Sequence, residues 1–248
     1  MIDVIDGAQP RLFGVGLLCA MPVLYLHTRR RGTDPWRAIA VLTALVAAGL
    51  FGGRVGAWVF GTVAIADFFN PNVAGSTSTM AAAFVGLAAI AVQGKLGMRA
   101  IDDVSPSLWV MVTFARLGCV FQGCDFGRRA IDGVAFSANS PAWYLHVQHG
   151  WIAQASGYSA STAPFAALAV GAGLFALAVS LRPFNGALAS SAAYLALSFF
   201  VEFFREPLTT VYWGPLSRPQ WLMLAMLVVW VWVFRQRDRQ GTPHDAVS

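Results

Sequence analysis

Four ionisable side chains stand inside segments that are otherwise apolar: Arg54, Arg116, Glu202 and Arg205. Charged groups at membrane depth are costly, and where they occur they tend to mark functional sites. Three guanidiniums and one carboxylate leave a net positive charge. That suits an anionic phosphate, because arginine forks onto phosphate oxygens with parallel hydrogen bonds. Tyr194, Ser198, Glu202 and Arg205 are spaced four, four and three. On a helix that spacing draws one polar stripe. The plainer alternative is a structural ion pair, with Glu202 neutralising Arg54 or Arg116 and holding the segments together. Arg205 also fits a snorkelling role at a helix end.

The run ARLGCVFQGCDFGRR carries the densest chemistry. Arg116 and Cys119 are three residues apart and share a face if the helix continues. Gly123 and Gly127 then break it. A thiolate beside Arg116 would have a lowered pKa, which makes Cys119 a candidate nucleophile. Cys119 and Cys124 also admit a disulfide if the helix ends between them, or two plain buried thiols. Further along, His146 and His149 are candidate proton acceptors, since histidine titrates near neutral pH. No tight ligand spacing joins these histidines to the cysteines, so no metal or other cofactor is expected.

The elements that must position these residues are membrane helices. The chain has 248 residues, 57% hydrophobic and 12% charged, with a mean hydropathy of +0.60. A soluble domain carries about 25% charged residues, so most of this surface faces something other than water. Spans of roughly 20 apolar residues cross a bilayer. Seven candidates occur, at 10–28, 37–64, 74–95, 105–122, 163–181, 186–204 and 217–235. The expected fold is therefore all-α and polytopic: a single transmembrane domain over 1–235, followed by a tail over 236–248.

The sequence pI near 9.6 does not imply nucleic acid, because the basic residues gather at span ends. With the amino terminus outside, ten basic residues fall at inner ends (Arg29, Arg30, Arg31, Arg37, Lys95, Arg99, Arg182, Arg235, Arg237, Arg239) against five outside. The positive-inside rule favours that orientation and a cytoplasmic carboxyl terminus. The start, MIDVIDGAQP, is acidic and unlike a cleaved signal peptide. Residues 123–162 are too polar to span and too long for a turn. With Trp143 and Trp151 they read as a small cap on the outer membrane surface. The four intramembrane charges then reach similar depth in the outer leaflet.

ARLGCVFQGCDFGRR resembles the signature segment of bacterial prolipoprotein diacylglyceryl transferases, with Arg116, Gly123, Gly127 and Arg128 in register. SFFVEFFREP around Glu202 and Arg205 resembles the sixth-helix motif of that family. LFGGRVGAW around Arg54, and SRPQWLMLAML at the last span, resemble two more of its segments, in the same order. The outer-loop stretch SPAWYLHVQHGWI resembles a divergent, cysteine-bearing branch. The resemblance covers most of the chain. It implies transfer of a diacylglyceryl group from phosphatidylglycerol to a cysteine thiol of a prolipoprotein, at the outer face of the cytoplasmic membrane. It also implies that Arg116 binds the lipid phosphate or glycerol, and that Glu202 orients a nearby arginine. Gln122, Gly127, Tyr194 and Ser198 would line the same lipid site with Arg54 and Arg205.

The sequence departs from the family in places. STSTMAAAFVGLAA has no histidine where the family has His-Gly-Gly. Cys119 and Gln122 replace asparagines, Cys124 replaces a glutamate, and Ser198 replaces an arginine four residues before Glu202. The expected activity is a membrane transferase acting on an anionic glycerophospholipid and a lipoprotein or other thiol acceptor, with an altered base. A non-catalytic phospholipid-binding relative is the alternative. A transporter fits less well, since the charges gather near one face and no internal repeat is visible.

Overall fold

In a computed structural model of the chain, residues 8–59, 64–67, 78–123, 126–138, 140–154, 157–161, 163–182, 186–206 and 212–239 are described. Seven long helices occupy the positions of the seven expected spans: α1 (Ala8–Arg31), α2 (Pro35–Val59), α3 (Ser78–Leu96), α4 (Met98–Gln122), α6 (Ala163–Ser180), α7 (Gly186–Val201) and α8 (Arg218–Arg239). Among the described residues, four of them are long and apolar enough to cross a membrane, α1, α2, α4 and α7 with its terminal turn. Shorter apolar stretches lie in α3, α6 and α8. The chain is a multi-pass membrane protein. Its outer surface carries Leu18, Leu50, Leu87, Phe200, Val228 and Trp232 exposed. A band of this kind suits acyl chains and would be unfavourable in water.

α4 is the central element, packed against α1, α2, α3, α6 and α7. Leu24, Leu45, Val104, Met111, Leu188 and Trp230 form the buried core around it. Small residues let the helices approach. A Cβ added at Gly52 would lie 2.5 Å from Phe84 Cβ and 2.8 Å from the Met80 carbonyl oxygen, so the glycines of span two do mark a helix contact, α2 on α3.

Several expected boundaries shift by a few residues, α8 for example running on to Arg239 into the expected tail, and two of the shifts bear on the site. α4 begins at Met98, seven residues before the expected 105, because Asp102 and Asp103 are absorbed into the bundle instead of ending it. The Asp102 carboxylate accepts the backbone N–H of Ala187 at the start of α7, and Asp103 pairs with Arg31 at 3.1 Å. The α-helix of span six stops at Val201, and Glu202–Phe204 form a 3₁₀ turn with Arg205 extended beyond it. The polar stripe therefore tightens at its last step instead of continuing as α-helix.

The segment expected to cap the membrane domain is a structured insert. β1 (Arg129–Ser137) pairs antiparallel with β2 (Tyr158–Ser161), Ala135 opposite Ala160, and α5 (Pro141–Gln148) lies between them. Ser140 caps α5 by accepting the backbone N–H of Trp143 at 3.0 Å. A second short ribbon, β3 (Tyr212–Trp213) with β4 (Leu216–Ser217), precedes α8.

Candidate functional site

α4 and α7 both run from the basic end of the bundle to the cap end, and they meet along a polar seam. Near its basic end Ser105 Oγ lies 3.3 Å from Ser190 Oγ. One turn on, the Trp109 indole N–H donates to Ser190 Oγ at 2.8 Å. The Trp109 ring leans on Tyr194, centroids 4.8 Å apart. At the top of the seam Arg116 Nε donates to the Tyr194 hydroxyl at 3.0 Å. Trp109 and Arg116 are seven residues apart on α4, and Ser190 and Tyr194 four apart on α7, so both helices turn one face to the seam. The indole is satisfied by a serine that is itself buried, which fixes the tyrosine ring from below. The tyrosine in turn holds one edge of the guanidinium. Half-buried Arg116 is thus oriented by a stack that starts two turns deeper in the core.

Beyond Tyr194 the half-buried Ser198 faces the same stretch, followed by Glu202. Glu202 is 5% exposed and its carboxylate pairs with Arg205 Nε at 2.8 Å across the 3₁₀ turn. The expected structural pairing placed Glu202 against Arg54 or Arg116; the pairing with Arg205 adds a partner on its own helix end. Arg54 lies half-buried in the closing turns of α2. Cys119 and Gln122 follow Arg116 on α4 and are half-buried. Gly123 ends that helix with φ +72, in the left-handed region where glycine is favoured. Cys124 lies outside the described residues, as do Pro207 and the tail beyond Arg239, so the disulfide expectation does not meet a described pair.

The cap is fastened to the end of α7 beside the Glu202–Arg205 pair. Gly127 and Arg205 form an antiparallel backbone bridge, and the N–H of Arg128 donates to Phe204 O at 3.2 Å. The Arg128 guanidinium donates to Phe203 O, and the N–H of Arg129 donates to Glu206 Oε2 at 3.1 Å. His146 is fully buried within the cap, its ring edge-on to Phe126 and 5.2 Å from Trp151. Burial pushes its pKa below the ordinary imidazole value. The Glu206 carboxylate acts the other way, and Arg129 and His149 add to the lowering. His149 is exposed and its ring also contacts this aromatic group, 5.5 Å from Trp151.

Residues 11–235 match the family described as prolipoprotein diacylglyceryl transferase, nearly the whole chain. The chain belongs to that family. A comparison with curated proteins finds no match. Membership places the chain among the membrane transferases of lipoprotein biosynthesis, as the ordered motifs implied.

Three groups at this site were not singled out from the sequence. Trp109 and Ser190 read as apolar-helix residues, and only their register with Arg116 and Tyr194 marks them. Glu206, 3% exposed, follows Arg205 directly. Its signal was the adjacency of three charged residues, Glu202, Arg205 and Glu206, at the end of an apolar run. Gln220, in the last-span motif, is buried. Its amide donates to Phe199 O at 3.2 Å and its Oε1 accepts from Ser217 N–H at 2.8 Å, so it ties α8 to α7 below Glu202.

Proposed function

We propose that this protein transfers a diacylglyceryl group from an anionic glycerophospholipid such as phosphatidylglycerol to a thiol acceptor of the lipoprotein type, at the cap end of the bundle. The amino terminus and the cap then face outward from the bacterial cytoplasmic membrane, and the arginine-rich end faces the cytoplasm. The observation that carries this reading is the hydrogen bond between Arg116 and Tyr194 on top of the Trp109–Ser190 stack. An intramembrane arginine held by its Nε keeps its terminal nitrogens in a fixed plane, as bidentate phosphate binding requires.

In this mechanism Arg116 and Arg54 hold the lipid phosphate. Glu202 fixes Arg205, whose charge lies where the phosphoglycerol departs. The acceptor sulfur attacks the glycerol carbon that bears the phosphate ester. The carbon–oxygen bond breaks, glycerol phosphate leaves with the electron pair, and positive charge stabilises it. The thiol proton must go to a base. His146 is the best placed in protonation state, because burial keeps its imidazole neutral near pH 7. His149 shares the same aromatic group and is open to solvent. Cys119, one turn beyond Arg116, is the second nucleophile to consider, as a resident thiolate that accepts the group before the acceptor does.

One set of observations favours a second reading, a relative that binds the lipid without turnover. The span-three segment has no histidine, and Ser198 stands where the family has an arginine. Incubation with phosphatidylglycerol and a lipobox peptide separates the two. A peptide heavier by one diacylglyceryl group supports transfer. Co-purified phospholipid with an unchanged peptide supports binding alone.

A further inference from the structure

At the end of the bundle away from the cap, the α1–α2 turn and the α3–α4 turn enclose a recess of about 300 Å³. Arg37 and Arg99 line it together with Thr33, Asp34, Val41 and Asp103. The two guanidiniums are anchored from opposite walls. Arg37 Nη2 donates to Leu96 O at 3.2 Å, which ties α2 to the end of α3. Arg99 Nη2 donates to Arg31 O at 2.8 Å, which ties α4 to the end of α1. Each anchor uses one of five guanidinium donors.

The carboxylates of the recess are already engaged. Asp103 is buried against Arg31 at 3.1 Å, and Asp34 accepts the backbone N–H of Trp36 at 3.1 Å at the start of α2. Counting Arg31 with the Asp103 it pairs, three guanidiniums face the two carboxylates of Asp34 and Asp103, which leaves a net positive charge, and Arg37 and Arg99 are both exposed. α2 and α4 also begin at this recess, and their first N–H groups add positive potential. Ala38, Val41 and Ala100 supply an apolar floor. Trp36, 78% exposed beside the recess, is the residue type that settles at the headgroup level of a bilayer.

We propose that this recess binds a phosphodiester, that of a glycerophospholipid in the leaflet at the basic end, with Arg37 and Arg99 forking onto its oxygens. It is a second lipid site and no part of the transfer site. Arg99 and Arg116 are seventeen residues apart on α4, about 25 Å along a helix, which puts them in opposite leaflets. A lipid bound here joins all four helices of the two turns and pins the basic end at its membrane depth. This site does not rest on the transferase reading.

The test is native mass spectrometry of the full-length protein from mild detergent. Wild type retains a phospholipid that the double variant Arg37→Gln/Arg99→Gln loses, with occupancy down on the order of tenfold or more, as expected for losing charge-assisted contacts. Arg37→Lys/Arg99→Lys keeps part of the occupancy, and Arg116→Ala keeps all of it. Transfer by the Gln double variant stays at the wild-type rate, so failure here and failure of the transfer reading are distinguishable. Equal occupancy in wild type and the Gln variant overturns the proposal.

Hydrogen exchange on delipidated wild type gives an answer that needs no variant. Phosphatidylglycerol nanodiscs slow exchange at residues 31–38 and 95–101, and inorganic phosphate alone does not. Protection by inorganic phosphate with none from the nanodiscs assigns the recess to a soluble phosphate and overturns the lipid source. No protection from either overturns the site.

Discussion

Tyr194→Phe removes one oxygen and leaves the rest of the seam in place. The phenylalanine ring keeps the contact with Trp109 that the tyrosine makes at 4.8 Å, so the packing of α4 on α7 survives. What is lost is the acceptor 3.0 Å from Arg116 Nε. A hydrogen bond to a charged group contributes about 1.5–3 kcal/mol net. If Arg116 is oriented for the departing phosphate, that loss appears in the transition state as a fall in kcat/KM of about tenfold to 150-fold. The fall should lie mainly in kcat, because the guanidinium still binds phosphate but no longer holds the plane in which charge develops. The assay is release of glycerol phosphate from phosphatidylglycerol in the presence of a lipobox peptide, with variant and wild type reconstituted at equal density. A rate within twofold of wild type would refute the orienting role of Tyr194. A matched fall in folded protein and in rate would assign the bond to structure alone.

Three further outcomes follow from the geometry. Glu202→Gln removes the charge from a 4%-exposed side chain that pairs with a 21%-exposed Arg205; stability should fall by about 1–3 kcal/mol, read as a lower melting temperature in detergent. An unchanged melt would mean that the pair contributes nothing to the fold. The lowered pKa of His146 makes cap stability depend on pH: the unfolded state binds the proton more tightly, so stability is full above the ordinary imidazole value and falls as pH drops below it. Protection factors over residues 141–151, with the intrinsic pH dependence of amide exchange divided out, should fall between pH 7 and pH 5 in wild type and lose that dependence in His146→Phe; level protection in wild type contradicts the assignment. Gly52→Val places a side chain 2.5 Å from Phe84 and should cost about 1–3 kcal/mol through forced separation of α2 and α3, whereas normal melting would show that the contact gives way easily.

Much of this was legible in the sequence because bilayer solvation imposes a strong, local rule. Apolar runs bounded by arginines had to be helices, and all seven appear where the runs lie. Arg116, Glu202 and Arg205 were legible because a charge in such a run is conspicuous, and Tyr194 because its spacing puts it on the same helix stripe as Glu202. Their pairing was not. Whether Glu202 meets Arg205, Arg116 or Arg54 depends on helix rotation and on the 3₁₀ turn at Glu202–Phe204, and neither is written in residue type. The early start of α4 was hidden for a related reason. Asp102 and Asp103 look like a helix boundary, until Ala187 N–H and Arg31 are brought to them by other helices. The cap was legible as an insert but not as a β-ribbon with a capped helix. Its fold comes from pairing β1 with β2 across more than twenty residues of sequence.

The central claim is that Arg116 serves lipid chemistry and does not merely hold the bundle together. The direct measurement is peptide-dependent release of glycerol phosphate from phosphatidylglycerol by wild type and by Arg116→Ala in proteoliposomes, with membrane insertion and melting followed in parallel. The account predicts release by wild type, loss of at least about a hundredfold in the variant, and unchanged insertion. Release at the wild-type rate from a folded variant, or a variant that fails to insert at all, would contradict it.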